Sequence, residues 1–252
     1  MSLRSTNWSG YAKYEELSGI FNLNPIPRGP FNYAYGEWIV PAIKGDVNSR
    51  VGIWVGIDGG DDIFGKPVSN YLLQIGTGAD FYTSDHSPRY FGWWEYIVPQ
   101  PGAISLIDKD VYNSGPLEFD SNSYPVMPGD RMAATVQIVT FTQPFTESIG
   151  VVSLWNLTRG WNCKEQLNGY NPPGRTVEFI VEAPTIVGGT ADLPDYGIVT
   201  FDQCKIGEFQ YAEFSGDNAI IMVKGSTDQI ISIPSSPVSS TGGFEVAFVK
   251  GN

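Results

Sequence analysis

Hydrophobic and polar positions alternate along this chain with a period of two, in short runs separated by turn residues. The runs are YGEWIVPAI, RVGIWVGIDGG, SNYLLQIGTG, RYFGWWEYIVP, RMAATVQIVTF, GVVSLWNLTRG, TVEFIVEAP, YGIVTFDQCKI, NAIIMVKG, QIISIP and GFEVAFVKG. Each reads as a β-strand. Eleven strands with no helical segment between them predict two packed antiparallel sheets, and the absence of a fixed sequence period excludes a propeller or solenoid. TFTQPFTESIGVV reads as a hairpin turn between two long strands. Residues 99–130 form the longest irregular section, with one or two short strands expected inside it.

The 252 residues carry 29 Gly and 18 Pro spread along the length. That favours one all-β domain over the whole chain, because sandwiches and barrels often reach about 250 residues. Residues 1–5 are expected to lie outside the ordered unit. No run approaches the roughly 18 apolar residues of a membrane helix, and MSLRSTNWSG lacks the apolar core of a signal peptide.

Charge and rare residues narrow the chemistry. Fifteen Lys plus Arg against 27 Asp plus Glu give a formal charge of -12, which disfavours nucleic acid and anionic membranes as partners. Few bases also leave little positive self-repulsion once carboxylates protonate, so the composition tolerates acid. The single histidine, His86, and two cysteines cannot build the usual zinc sites, and no metal or cofactor is expected. DGGDD, residues 58–62, lacks the EF-hand spacing and reads as a polar turn. No G-x-S-x-G elbow or phosphate-binding glycine motif is present. Cys163 and Cys204 would close one loop if bonded, and a structural disulfide is favoured over two free thiols. Catalysis, if any, falls to carboxylates, amides and aromatic walls.

Several strands place such groups on one face. Alternation groups Trp54, Gly56 and Asp58; Leu72, Gln74 and Gly76; Trp93, Glu95 and Ile97; and Thr176, Glu178, Ile180 and Glu182. Spacing alone leaves both readings open, an aromatic-lined groove or ordinary core tryptophans with surface polar residues. NWSGY, GEWIVP, WVGIDG, LLQIGTGADF, WWEYIVP, PGDRMAATV, NLTRG, VEFIVE and YGIVTF occur in an order that resembles the glutamic peptidases, the eqolisins.

The resemblance implies a sandwich of two curved antiparallel sheets, concanavalin A-like or jelly-roll-like. It also implies a secreted, monomeric, pepstatin-insensitive acid endopeptidase acting on polypeptides. The family's catalytic pair is carried to Gln74 in the L-Q-x-G strand and to Glu178, the glutamate that opens the E-F-I-V-E strand, not to Glu182. Glu178 would then face the substrate groove as general base and acid, with Gln74 stabilising the oxyanion. Trp8, Trp54 and Trp93 are carried over as walls, and Asp58 and Glu95 as groups that orient Gln74. Asp80 joins the supporting set, although two extra residues separate it from Gln74 relative to the fungal form. The longer 99–130 section is expected to alter substrate access. The rival readings are a carbohydrate-binding or glycoside-hydrolase sandwich, which needs a second carboxylate opposite Glu178, and a catalytically dead interaction module.

Overall fold

The computed structural model describes residues 2–14, 29–60, 69–82, 87–99, 111–140, 148–225 and 227–250. His86 and most of the turn after Asp58 lie outside them. The chain forms β1 (Leu3–Ser5), β2 (Trp8–Tyr14), β3 (Tyr33–Ile39), β4 (Arg50–Ile57), β5 (Leu72–Asp80) and β6 (Arg89–Pro99). It continues through β7 (Val111–Asn113), β8 (Leu117–Glu118), β9 (Arg131–Thr140), β10 (Ser148–Asn156), β11 (Trp161–Asn168) and β12 (Thr176–Glu182). It ends with β13 (Thr185–Ile186), β14 (Gly189–Thr190), β15 (Ile198–Ile206), β16 (Ala219–Lys224), β17 (Gln229–Pro234) and β18 (Phe244–Phe248). Among the described residues the only helix is a single 3-10 turn, Gly216–Asn218, and no helix is long and apolar enough to cross a membrane.

All but the small β13–β14 ribbon belong to one hydrogen-bonded sheet with the path β11-β10-β9-β3-β15-β18-β17-β16-β2-β12-β4-β5-β6-β7, from which β1 branches at β16 and β8 at β6. The path folds back on itself. The half running from β11 to β15 packs over β12, β4 and β5, while β18, β17 and β16 lead from one layer to the other. The space between the layers holds the main core, to which Val55, Ile75, Val136, Leu154, Phe179, Val199 and Phe201 contribute buried side chains. Apolar residues at every second position are what let one face of each strand supply that core. A smaller apolar cluster of Ala12, Trp54, Trp93, Ile180 and Ile220 lies on the opposite face of the β2-β12-β4-β5-β6 layer, with Trp8, Leu3 and Phe91 packed against it. That second face carries the site.

All eleven expected strands are present, and seven more accompany them. β2 has a weak sequence signal because Ser9, Gly10 and Lys13 interrupt its apolar positions; its pairing with β12 and β16 makes it a strand. β11 is polar and largely exposed, an edge strand held by its hairpin register with β10. Leu3–Ser5, expected to be unordered, pairs in parallel with Ile220–Met222. β9 and β10 pair antiparallel as the expected hairpin requires, although its turn, residues 141–147, lies outside the described residues. The 99–130 section contributes β7 and β8, both pairing with β6.

The expected disulfide is absent: Cys163 and Cys204 are both buried and free. They sit on β11 and β15, four strand spacings apart on the path, about 19 Å along the sheet. A disulfide needs Cα atoms within about 7 Å.

Candidate active site

Strand register assembles the second face row by row, because directly opposed residues project to the same side. One row runs Ala12, Glu178, Gly56, Gln74, Glu95. The next runs Gly10, Ile180, Trp54, Gly76, Trp93, and the one after it Trp8, Glu182, Gly52, Gly78, Phe91. A cleft of about 310 Å³ opens over this face. Trp8, Gln74, Trp93, Glu95, Asp80 and Glu182 all line it.

Glu178 does not. Its side chain is fully buried. The indole of Trp54 lies over Gly56, where an added Cβ would come within 2.8 Å of the ring and 3.4 Å of Glu178 Oε2. The ring therefore fills the space between Glu178 and Gln74. Burial holds the Glu178 carboxyl well above the usual carboxylate range; the Thr176 hydroxyl and Gly60 amide oppose the rise and the Asp58 charge adds to it. The expectation that Glu178 is open to the groove is corrected: it lies on the cleft-side face in the row of Gln74, but the Trp54 indole over Gly56 covers it and it does not line the cleft.

The glutamate in the groove is Glu182, four residues further along the same face. It is partly buried, accepting from Trp54 Nε1 at 2.8 Å on Oε2 and from Asn7 Nδ2 at 3.3 Å on Oε1. Burial pushes its pKa up to about 7, against the Trp54, Trp8 and Asn7 side chains, which favour the ionised form. Trp8 meets Trp54 edge-on, with ring centroids 5.0 Å apart, and so fixes the indole that binds Glu182. Alternation could not separate Glu178 from Glu182, since residues i and i+4 of a strand share a face. The glycines differ in what covers them: an added Cβ would come within 2.8 Å of the Trp54 ring at Gly56 and 2.5 Å of the Phe91 ring at Gly78, but no nearer than 3.5 Å to the Trp93 ring at Gly52, the direct neighbour of Glu182.

Gln74 is almost fully buried on β5. Its Nε2 donates to Glu95 Oε2 at 3.0 Å, and its Oε1 has no partner. A carboxylate can only accept, which fixes the orientation of the amide and leaves the second N–H of Nε2 free for another acceptor. Burial raises the Glu95 pKa, opposed by the Asn113 and Gln74 side chains.

Two supporting residues act elsewhere than expected. Asp58, fully buried at φ 64°, turns the chain out of β4 and accepts from the backbone amides of Gly174 at 2.9 Å and Arg175 at 2.8 Å. It anchors the segment entering β12 and does not touch Gln74. Its pKa is pushed up to about 6 by burial, against those amide bonds. Asp80 forms an ion pair with Arg89, whose Nη2 lies 2.8 Å from Oδ2, at the far end of the cleft. Arg89 also pairs with Glu118 at 2.6 Å and lies over the Phe91 ring. Among the described residues no group of His, Cys, Asp or Glu side chains could hold a metal ion.

The model of the peptidase A4 family matches residues 6–247. The chain belongs to the peptidase A4 family. The resemblance to the glutamic peptidases, or eqolisins, thus holds at the level of family, and with it the enzyme class, a glutamic endopeptidase. Scytalido-glutamic peptidase, solved with a peptide-based transition state analog, superposes with a TM-score of 0.63 at 19% identity, covering 97% of this chain and 98% of that one. SCP-B, an eqolisin solved with the tripeptide Ala-Ile-His, does so with a TM-score of 0.58 at 19% identity over the same shares. At that identity the two structures speak for the fold of this peptidase. No curated protein sequence matches the chain.

Proposed function

We propose that this A4-family peptidase is an extracellular, pepstatin-insensitive endopeptidase of acidic surroundings in which Glu182 and Gln74 carry the chemistry. The observation supporting the pair is that a partly desolvated carboxyl and an oriented amide line one cleft, each held by its own partner, Trp54 and Glu95. Glu182 as carboxylate takes a proton from water as the water oxygen attacks the scissile carbonyl carbon. The carbonyl oxygen becomes an oxyanion and receives the free N–H of Gln74. Glu182 then delivers its proton to the peptide nitrogen as the C–N bond breaks, releasing an acid and an amine, with no covalent intermediate.

Glu95 holds the amide in the one orientation that presents N–H to the oxyanion. Trp8 and Trp93 line the cleft, and the buried Trp54 packs behind Glu182; together they keep water from the carboxyl, which is the physical origin of its raised pKa. The acidic limb of the rate profile therefore lies above the ordinary glutamate range of about 4.3. Incubation of a denatured protein with pepstatin at points from about pH 4 to about pH 7, with products read by mass spectrometry, tests the reading. Internal cleavage that persists with pepstatin and is lost in Glu182→Gln is the expected result; a folded enzyme that leaves the substrate intact from acid to neutral pH overturns it.

A further inference from the structure

One row beyond Glu182 and Gly52, the register places Arg50 opposite Asp80, and Asp80 opposite Arg89. Arg50 and Arg89 are the two cations on the cleft wall. Their situations differ. Both Asp80 oxygens accept from Arg89, Oδ1 from Nε at 3.2 Å and Oδ2 from Nη2 at 2.8 Å, and Glu118 takes the rest of that guanidinium through Nη1 at 2.6 Å. Arg50 is left without a salt bridge to any carboxylate among the described residues, although Asp80 is its register neighbour. Its Nε is buried and has no acceptor among the described residues. A desolvated N–H of a charged group is unfavourable until an oxygen reaches it, and the cleft is where a substrate brings one.

Resting on the endopeptidase reading above, we propose that Arg50 is a specificity-determining residue that binds the side-chain carboxylate of an acidic substrate residue. The row spacing sets the position. Same-face residues on a strand lie about 6.8 Å apart, and an extended substrate repeats its side chains at the same interval, so Arg50, one row from Glu182 and three from Gln74, meets one side chain of a substrate lying along the cleft. A guanidinium recognises a carboxylate through two parallel hydrogen bonds, which a carboxamide of equal size cannot match. The neighbouring Asp80 does not cancel the effect, since both its oxygens are engaged by Arg89.

The test uses fluorescent nonapeptides carrying Glu, Gln or Lys at each position in turn, at about pH 5, where a peptide glutamate is mostly ionised. Binding is measured by anisotropy to Glu182→Gln, and cleavage, as kcat/KM, with the wild type. About a tenfold preference for Glu over Gln is expected at a single position, fixed relative to the bond the wild type cleaves. The ratio should fall to about one when Arg50→Gln is added, and Lys should become the preferred residue with Arg50→Glu. Circular dichroism confirms that each variant is folded, and Arg50→Lys, which keeps the charge without the fork, should retain part of the preference. A ratio near one with Arg50 intact, or an unchanged ratio in folded Arg50→Gln, overturns the assignment. Absence of any cleavage by wild type defeats the endopeptidase reading separately, since the binding ratios still decide the role of Arg50.

Discussion

In the proposed pair, the carboxyl on β12 and the amide on β5 depend on what touches them. Gln74→Ala removes the oxyanion donor while leaving Glu182 in place, and kcat should fall by about 10²–10³, measured on a peptide substrate at saturation. Trp54→Phe keeps the wall but removes the N–H that reaches Glu182 Oε2. That hydrogen bond favours the ionised carboxylate, so its loss raises the Glu182 pKa further. The acidic limb of kcat/KM against pH should move to higher pH by about 1, whereas a purely structural role for the indole would lower kcat/KM evenly across pH. That Gln74, Trp8 and Trp93 come together at one cleft was legible from the sequence, because each stands out in a strand whose alternation is clear. That Glu182 lines the cleft and Glu178 does not was illegible, because the two share a strand face.

The β12-β4-β5 layer works because glycines let large side chains lie flat across it. Gly76 faces the Trp54 backbone and side chain so closely that an added Cβ would sit 2.0 Å from the Ile53 carbonyl oxygen and 2.7 Å from Trp54 Cβ. Both backbones would have to separate. Gly76→Ala should therefore destabilise the protein by about 1–3 kcal/mol in urea unfolding and lower activity by displacing Trp54 from Glu182. The long, alternating strands were readable locally. β2 and β11 were not, since a glycine-broken strand and a polar edge strand take their conformation from neighbours distant in sequence. Cysteine spacing was equally silent about sheet order, which holds Cys163 and Cys204 on separate strands.

Taken over the whole molecule, the buried carboxyls set how stability varies with pH. Asp58 and Glu178 lie fully buried against each other's field, and both have pKa values raised by burial. The folded state thus binds protons more tightly than the unfolded chain. Stability is fully present below the ordinary carboxylate range and is lost as pH rises, for Asp58 through about 6. Asp58 alone accounts for roughly 3 kcal/mol of that loss. Thermal unfolding should show the highest Tm in acid and a decline toward neutrality. Glu178→Gln, which keeps the shape of the protonated carboxyl without its ionisation, should move that decline to higher pH. A Tm that rises from acid to neutral pH would contradict this. The low count of Lys and Arg had already indicated tolerance of acid, but the sequence could not show that two carboxyls are buried beneath the groove.

The central claim is that Glu182, and not Glu178, is the glutamate that handles the proton. Its most direct test compares Glu182→Gln with Glu178→Gln for cleavage of a denatured protein at about pH 5, with both variants confirmed folded. Loss of cleavage in Glu182→Gln alongside activity within a few-fold of wild type in Glu178→Gln is the predicted result. An active Glu182→Gln with an inactive, folded Glu178→Gln would contradict it.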